Sequence, residues 1–303
     1  MKKLLLATVT FFFLVFNTCA QENIRKVGTW NMKWLGTNSG NQLDALENVP
    51  DYANYILRTG ATLFALQEIG ATHSVDGEPK CFYLDKIVDE LNKSIPDNSA
   101  QWTYIMDDRN GQQRLAFLYK KDLWDVSNPR IITPGNSFYH IRRPFVITVL
   151  AKGTNAELQF DFIDVHLKAF DDEESKQKRV NNFEQLSDWL ETNTLDADVL
   201  IAGDTNIYFG ESDVYQPLQD INYRYLYDAE RTVIYEDALG QRFDRFFCSP
   251  DLYTEILSAK NKVGNSNFID VIKDNDPDKI HWFDQNISDH YSVVLNIDVS
   301  EER

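Results

Sequence analysis

Short hydrophobic runs that each end on a side chain able to bind a cation or move a proton recur along this chain, and that coincidence narrows what it can fold into. Residues 27–30 lead into Asn31, 63–67 into Glu68, 162–165 into His166, and 200–203 into Asp204, Thr205 and Asn206. The sequence Ile287-Ser288-Asp289-His290 opens a further run. One polar residue at a strand end is ordinary. Five such ends sharing the chemistry of a hard-cation, phosphoryl-transferring site point to one place at one sheet edge.

The runs rich in aromatic and β-branched residues predict strands over 27–31, 63–67, 103–106, 114–119, 144–151, 158–166, 199–203, 243–249 and 291–297. Between Glu173 and Glu191, the residues Val180, Phe183, Leu186, Trp189 and Leu190 recur at helical spacing. A second helix is expected within 42–58, started or broken by Pro50. The acidic stretch Asp171-Asp172-Glu173-Glu174 suits the positive end of a helix dipole. Strands alternating with helices place the chain in the α/β class, with two packed sheets and helices outside. No internal repeat or linker composition divides it, so residues 21–303 form one expected domain.

Residues 1–20 are set apart. Lys2 and Lys3 precede an apolar stretch from Leu4 to Phe16, and Thr18-Cys19-Ala20 offers small residues for cleavage, which reads as an export signal. Acylation of Cys19 is the alternative, although Phe16 and Thr18 depart from the usual lipoprotein pattern. No apolar run reaches the ~20 residues of a spanning helix. Cys81 and Cys248 would then be the remaining cysteines, either paired or separately buried. With 30 Lys+Arg against 47 Asp+Glu, a net charge of −17 argues against a broad basic surface gripping a polyanion. A local phosphate site with bound cations remains open.

Trp30-Asn31, Leu66-Gln67-Glu68, Asp164-Val165-His166-Leu167, Gly203-Asp204-Thr205-Asn206 and Ser288-Asp289-His290, in that order, resemble the endonuclease/exonuclease/phosphatase family, its deoxyribonuclease I-like branch in particular. Ile141-Arg142-Arg143-Pro144-Phe145-Val146 looks like that branch's phosphate-contacting arginine segment, and Phe243-Asp244-Arg245 like its aspartate-arginine strand. The resemblance runs over about residues 24–297 and implies a four-layer α/β sandwich: two mixed β-sheets face to face, helices outside, and the active site at one rim.

Each residue type has a physical reason to be in such a site. Glu68 offers a hard oxygen to Mg²⁺ or Mn²⁺, with Asn31 and Asp289 completing the shell alongside waters; Ca²⁺ is a further structural or co-activating candidate. His290 and His166 are two of the five histidines, and they are assigned base and acid respectively, although the roles are exchangeable. The resemblance gives Asp244 as partner of His290. Asp204 and Asn206, at i and i+2 of an extended strand end, would face one phosphate together. Asp204 would orient water or a second cation, while Asn206 and Asn31 contact phosphoryl oxygens. Arg142 or Arg143 would clamp phosphate through paired N–H donors, or else form a surface salt bridge.

His73, His140 and His281 read as loop or surface residues, and Tyr223, Tyr225 and Tyr227 as packing. One departure stands out: Gln113 falls where the branch has a glutamate supporting the histidine that matches His166, and Glu78, Asp107 or Asp108 are the candidate substitutes. Three functions follow: an exported metal-dependent DNA endonuclease, an enzyme for a lipid or small-molecule phosphoester, and a non-catalytic binding module. A monomer with no stable protein partner is expected.

Overall fold

Strands that are apolar on both faces need cover on both sides, and the chain supplies it in layers. The computed structural model describes residues 24–36, 46–70, 73–108, 113–133, 142–153, 158–193, 198–226, 231–234, 241–254 and 270–299. The export segment with Cys19, His140 and Tyr227 therefore lie outside the described residues.

In chain order the elements are β1 (Ile24–Leu35), α1 (Val49–Thr59), β2 (Leu63–Ile69), β3 (His73–Val75), β4 (Glu78–Lys80), α2 (Phe82–Asn92), β5 (Trp102–Met106), β6 (Arg114–Lys120), β7 (Trp124–Ile131), β8 (Phe145–Ala151), β9 (Gln159–His166), α3 (Glu173–Asn193), β10 (Val199–Asp204), α4 (Gln216–Asp220), β11 (Arg224–Leu226), β12 (Asp244–Cys248), α5 (Pro250–Leu252), β13 (Asp270–Val271), α6 (Pro277–Asn286) and β14 (Val293–Asp298). One sheet has the order β13-β14-β1-β2-β6-β5, a second β11-β12-β10-β9-β8-β7, and β3-β4 form a separate hairpin. Both large sheets are mixed: β1 with β2 and β9 with β10 are parallel, and every other recorded pairing within them is antiparallel.

Alternation along β2 shows the layering. Leu63 and Ala65 point between the sheets, joining Leu115, Phe117, Phe145 and Phe162. Phe64 and Leu66 point outward to Tyr52 and Ile56 of α1 and Leu84 and Ile87 of α2. On the far side, Ile163, Val199 and Ile201 meet Phe183, Leu186 and Leu190 of α3. Each such fully buried side chain stabilises the fold by about 1.5–3 kcal/mol relative to exposure. The result is the expected four-layer α/β sandwich.

The helix ends follow ordinary rules. Pro50 sits in the first turn of α1, and Gly60 ends that helix with φ of 70°. Asp172 caps α3, accepting hydrogen bonds from Ser175 N at 2.9 Å and Ser175 Oγ at 2.7 Å. Among the described residues no helix is long and apolar enough to cross a membrane, and Cys81 and Cys248 are separate buried thiols.

Several elements depart from expectation. The helix expected within 42–58 is α1, which Pro50 starts and which runs one residue further, to Thr59. β1 continues past Asn31 to Leu35 through a register irregularity, with positive φ at Lys33 and Trp34. β7 was concealed by Asn128-Pro129, which an edge strand with a register break tolerates. The helices α2 and α6 were also unforeseen.

Candidate active site

Topology brings the polar strand ends together. The carboxyl ends of the parallel strands β1, β2, β9 and β10 deliver Asn31, Glu68, His166 and Asp204 to one rim. Strands antiparallel to these start at the same rim, so β6, β8, β12 and β14 are preceded or opened there by Gln113, Arg142, Asp244 and His290. The sheets are pinned just below: Gln67 Nε2 donates to Asp164 Oδ1 at 2.7 Å and to Thr29 Oγ1 at 3.1 Å, linking β2 to β9.

Gly203 allows the closest approach. A Cβ there would lie 1.9 Å from the Val165 carbonyl oxygen, and its φ is +145°. Any side chain would push β10 away from β9 and separate Asp204 from His166.

Asp204 occupies the centre. Its Oδ2 accepts from Asn31 Nδ2 at 2.9 Å and lies 3.5 Å from His166 Nε2 and 3.9 Å from His290 Nε2. Its Oδ1 accepts from Asn206 N at 3.0 Å. That last contact is an Asx-turn, with Asn206 at φ 48°, so the extended i, i+2 arrangement expected for the pair is corrected. The strand ends at Asp204, and Asn206 turns its amide back to Leu167 O at 3.3 Å. Burial pushes the Asp204 carboxyl up against the opposing pull of His290.

Glu68, with φ of 62°, is also strained into place. Its Oε2 accepts from Trp34 N at 3.0 Å, and its Oε1 lies 3.5 Å from both His166 Nε2 and Gln113 Nε2. Burial and then the nearby Asp204 charge raise its carboxyl to about 7. Gln113 accepts from Arg142 Nε at 2.8 Å, and Arg142 Nη1 reaches His166 Nε2 at 2.9 Å and Leu167 O at 2.6 Å. A guanidinium has only donors, so in this contact His166 Nε2 stands as the acceptor. Asp107 Oδ2 accepts from Leu115 N at 2.8 Å, a strand-capping role rather than one beside His166.

His290 Nδ1 lies 2.8 Å from Asp244 Oδ2. Burial works against charge on the ring, but Asp244, with Asp204 and Asp289 behind it, carries the imidazole well above its ordinary range. Both partners are positioned by backbone. Thr232 Oγ1 accepts from Phe243 N and Asp244 N, Ser288 Oγ accepts from His290 N and donates to Asn31 O, and Trp30 Nε1 donates to His290 O. Sequence reasoning gave Thr232, Ser288, Gln67 and Trp30 no role; Ser288, Gln67 and Trp30 were legible only as members of the quoted motifs.

Of the remaining candidates, Asp289 stays near the rim and the others lie apart from it. Asp289 is half-buried and acts electrostatically on Glu68. Arg143 is exposed and lines a different cavity, with Glu78, Asp107, Asp108 and Arg130. His73 pairs with Asp85 at 3.2 Å on the surface, and His281 is exposed on α6.

Among the described residues no three His, Cys, Asp or Glu side chains form a ready metal cage. The donor set nevertheless fits a hard divalent ion, which needs few protein ligands. Glu68 is buried beside a second carboxylate that lifts its proton affinity, so a cation there would relieve that repulsion.

Comparison with known proteins places this geometry. No curated protein matches the sequence. D. rerio TDP2 complexed with a single-strand DNA product is 16% identical over 90% of this chain and 98% of that one, with a TM-score of 0.58. A mannosyl-6-phosphatase from Bacteroides thetaiotaomicron VPI-5482 is 14% identical over 90% and 99%, also at 0.58. An endonuclease/exonuclease/phosphatase from Bacteroides vulgatus is 13% identical over 90% and 98%, at 0.61. These likenesses concern the fold. Residues 28–290, which span the whole rim, match the endonuclease/exonuclease/phosphatase family, and the chain belongs to that family.

Proposed function

We propose that the protein is a divalent-metal-dependent phosphodiester hydrolase of the deoxyribonuclease I type, acting on DNA. The observation that carries the hydrolytic reading is Asp204 Oδ2 within 3.9 Å of two imidazoles, one of them paired to Asp244 and the other beside Glu68. In-line hydrolysis needs a proton acceptor for water, a proton donor for the departing oxygen and stabilisation of the equatorial phosphoryl oxygens.

Glu68, with Asn31 and Asp289, would hold Mg²⁺ or Mn²⁺, which supplies positive charge at the phosphoryl group. His166, whose Nε2 faces the Arg142 donors, takes the acceptor's part. Substrate phosphate competes for Arg142 and uncovers Nε2. His290, kept charged by Asp244, donates to a phosphoryl or leaving oxygen. This exchanges the roles first assigned to the two histidines. Asp204 orients water between the rings, and the Asn206 amide donates to a phosphoryl oxygen.

An exposed aromatic supports a substrate with planar rings. Phe170 is 63% exposed on the segment that leaves β9, and Lys168 Nζ lies 4.2 Å from its ring centre. The net charge of −17 favours a second reading, a lipid or small-molecule phosphoester that needs no extended basic track.

Purified protein is assayed on supercoiled plasmid with Mg²⁺, Mn²⁺ or Ca²⁺, with and without chelator. Metal-dependent nicking is the expected result. Release of inorganic phosphate or phosphocholine from small esters, with plasmid left intact, would favour the second reading.

A further inference from the structure

Asp244 and Arg245 are neighbours on β12, yet they face opposite sides of the sheet. Asp244 turns to the rim and His290, while Arg245 turns outward among Tyr215, Tyr225 and Phe247. Arg245 is 8% exposed. Its Nη2 donates to Ile207 O at 3.0 Å, and its guanidinium carbon lies 5.5 Å from the Tyr225 ring centre. Its Nε and Nη1 make no hydrogen bond, and no carboxylate pairs with it among the described residues.

Arg179, fully buried, makes the contrast. Its Nη2 meets both Glu211 oxygens at 2.8 and 2.7 Å. A buried guanidinium without a counter-charge is costly, and this one borders a cavity of about 130 Å³. The walls are Tyr208, Phe209, Tyr215, Tyr225 and a second cation, Arg242. Glu211 also lines it, but its oxygens are already taken by Arg179 and by Tyr208 N at 2.9 Å. With the one lining carboxylate already neutralised, the unpaired Arg245 fork selects an anion, and the small volume suits a tetrahedral oxyanion rather than a whole nucleotide.

We propose that this cavity is a phosphate-binding pocket on the outer face of the sheet, distinct from the rim, with the Arg245 fork as its principal donor. Ile207 follows Asn206 directly, so an anion seated there would also steady the segment that carries Asn206 into the rim. The proposal stands apart from the catalytic reading because it concerns a bound ion and not turnover.

The test uses the purified protein in chelator, unfolded thermally over a series of inorganic phosphate concentrations at constant ionic strength. The expected result is a midpoint that climbs with phosphate in the wild type and in His166→Ala, whose change lies at the rim, and that stays flat in Arg245→Met. Without phosphate, Arg245→Met should melt no lower than wild type, because an uncompensated buried charge has been removed. Phe209→Trp, at the exposed mouth, gives an independent readout: its emission should change saturably with phosphate. The pocket is refuted by an equal phosphate response in Arg245→Met, by loss of the response in His166→Ala alone, or by a Phe209→Trp protein whose emission ignores phosphate. The Trp reporter decides the matter even if Arg245→Met does not fold.

Discussion

Glu68 and His290 are both held away from their ordinary proton affinities, and each makes a prediction. For Glu68, a carboxyl raised from 4.5 to about 7 binds more protons folded than unfolded between those values. Its contribution to metal-free stability therefore falls as pH rises through that window. Metal binding must displace the proton, so Mg²⁺ affinity should drop about tenfold per pH unit below 7, with proton release measurable by calorimetry in buffers of different ionisation enthalpy. For His290 the slope has the same sign from the opposite cause, a favoured charged form: its folded affinity lies above the ordinary 6.5, so the Asp244 pairing stabilises fully below that value and is lost as pH climbs through the raised one. Asp244→Asn keeps the shape and removes that charge. It should lower turnover by roughly 10²–10⁴-fold and abolish this component of the stability profile. The identities of Glu68, His166, Asp204 and His290 were legible in the sequence because each ends or opens an apolar run, whereas Asp244 came from the family resemblance. What each atom does was not. The Asx-turn at Asn206 and the contact of Arg142 with His166 depend on where chain segments far apart in sequence meet, and periodicity says nothing about that.

At the scale of elements, the close pairing of β9 and β10 sets how near His166 and Asp204 can come, and Gly203 is the position that permits it. Gly203→Ala should cost roughly 3 kcal/mol in urea unfolding, because the new methyl meets backbone rather than a movable side chain. Activity should fall further than the loss of folded protein explains. Gln67 binds the two sheets behind the site, and Gln67→Ala should cost about 1–3 kcal/mol by leaving buried Asp164 and Thr29 with one partner fewer. Strands buried on both faces were legible as apolar runs, which is why most strands of the two sheets could be placed. β7 was hidden by its edge-strand proline, and β11 and β13 by having only a few residues each. The segment from Asn31 to Leu35 bends through two positive φ values that no local pattern announces.

Across the whole molecule, acidity is the dominant property, and it constrains how a polyanion could approach. With a net charge of −17, DNA contact would rest on a few cations at the rim, Arg142 and Lys168 among them. The salt dependence of binding should then correspond to only about two or three phosphates, far shallower than for a basic groove. Fluorescence anisotropy of a short duplex over a salt series measures that slope. The four-layer architecture was legible as a whole because every layer has its own hydrophobic period, whereas substrate choice resides in loops whose shape is set by tertiary contacts. The central claim is that Glu68, His166, Asp204 and His290 act on one phosphorus. It is tested most directly by metal-dependent hydrolysis of bis(4-nitrophenyl) phosphate in His166→Ala, Asp204→Asn, His290→Ala and the double histidine variant. Each single change should cost roughly 10²–10⁴-fold, with the double variant little worse than the poorer single, as groups acting as a unit require. Full activity in any of the single variants, or losses that simply multiply in the double, would contradict it.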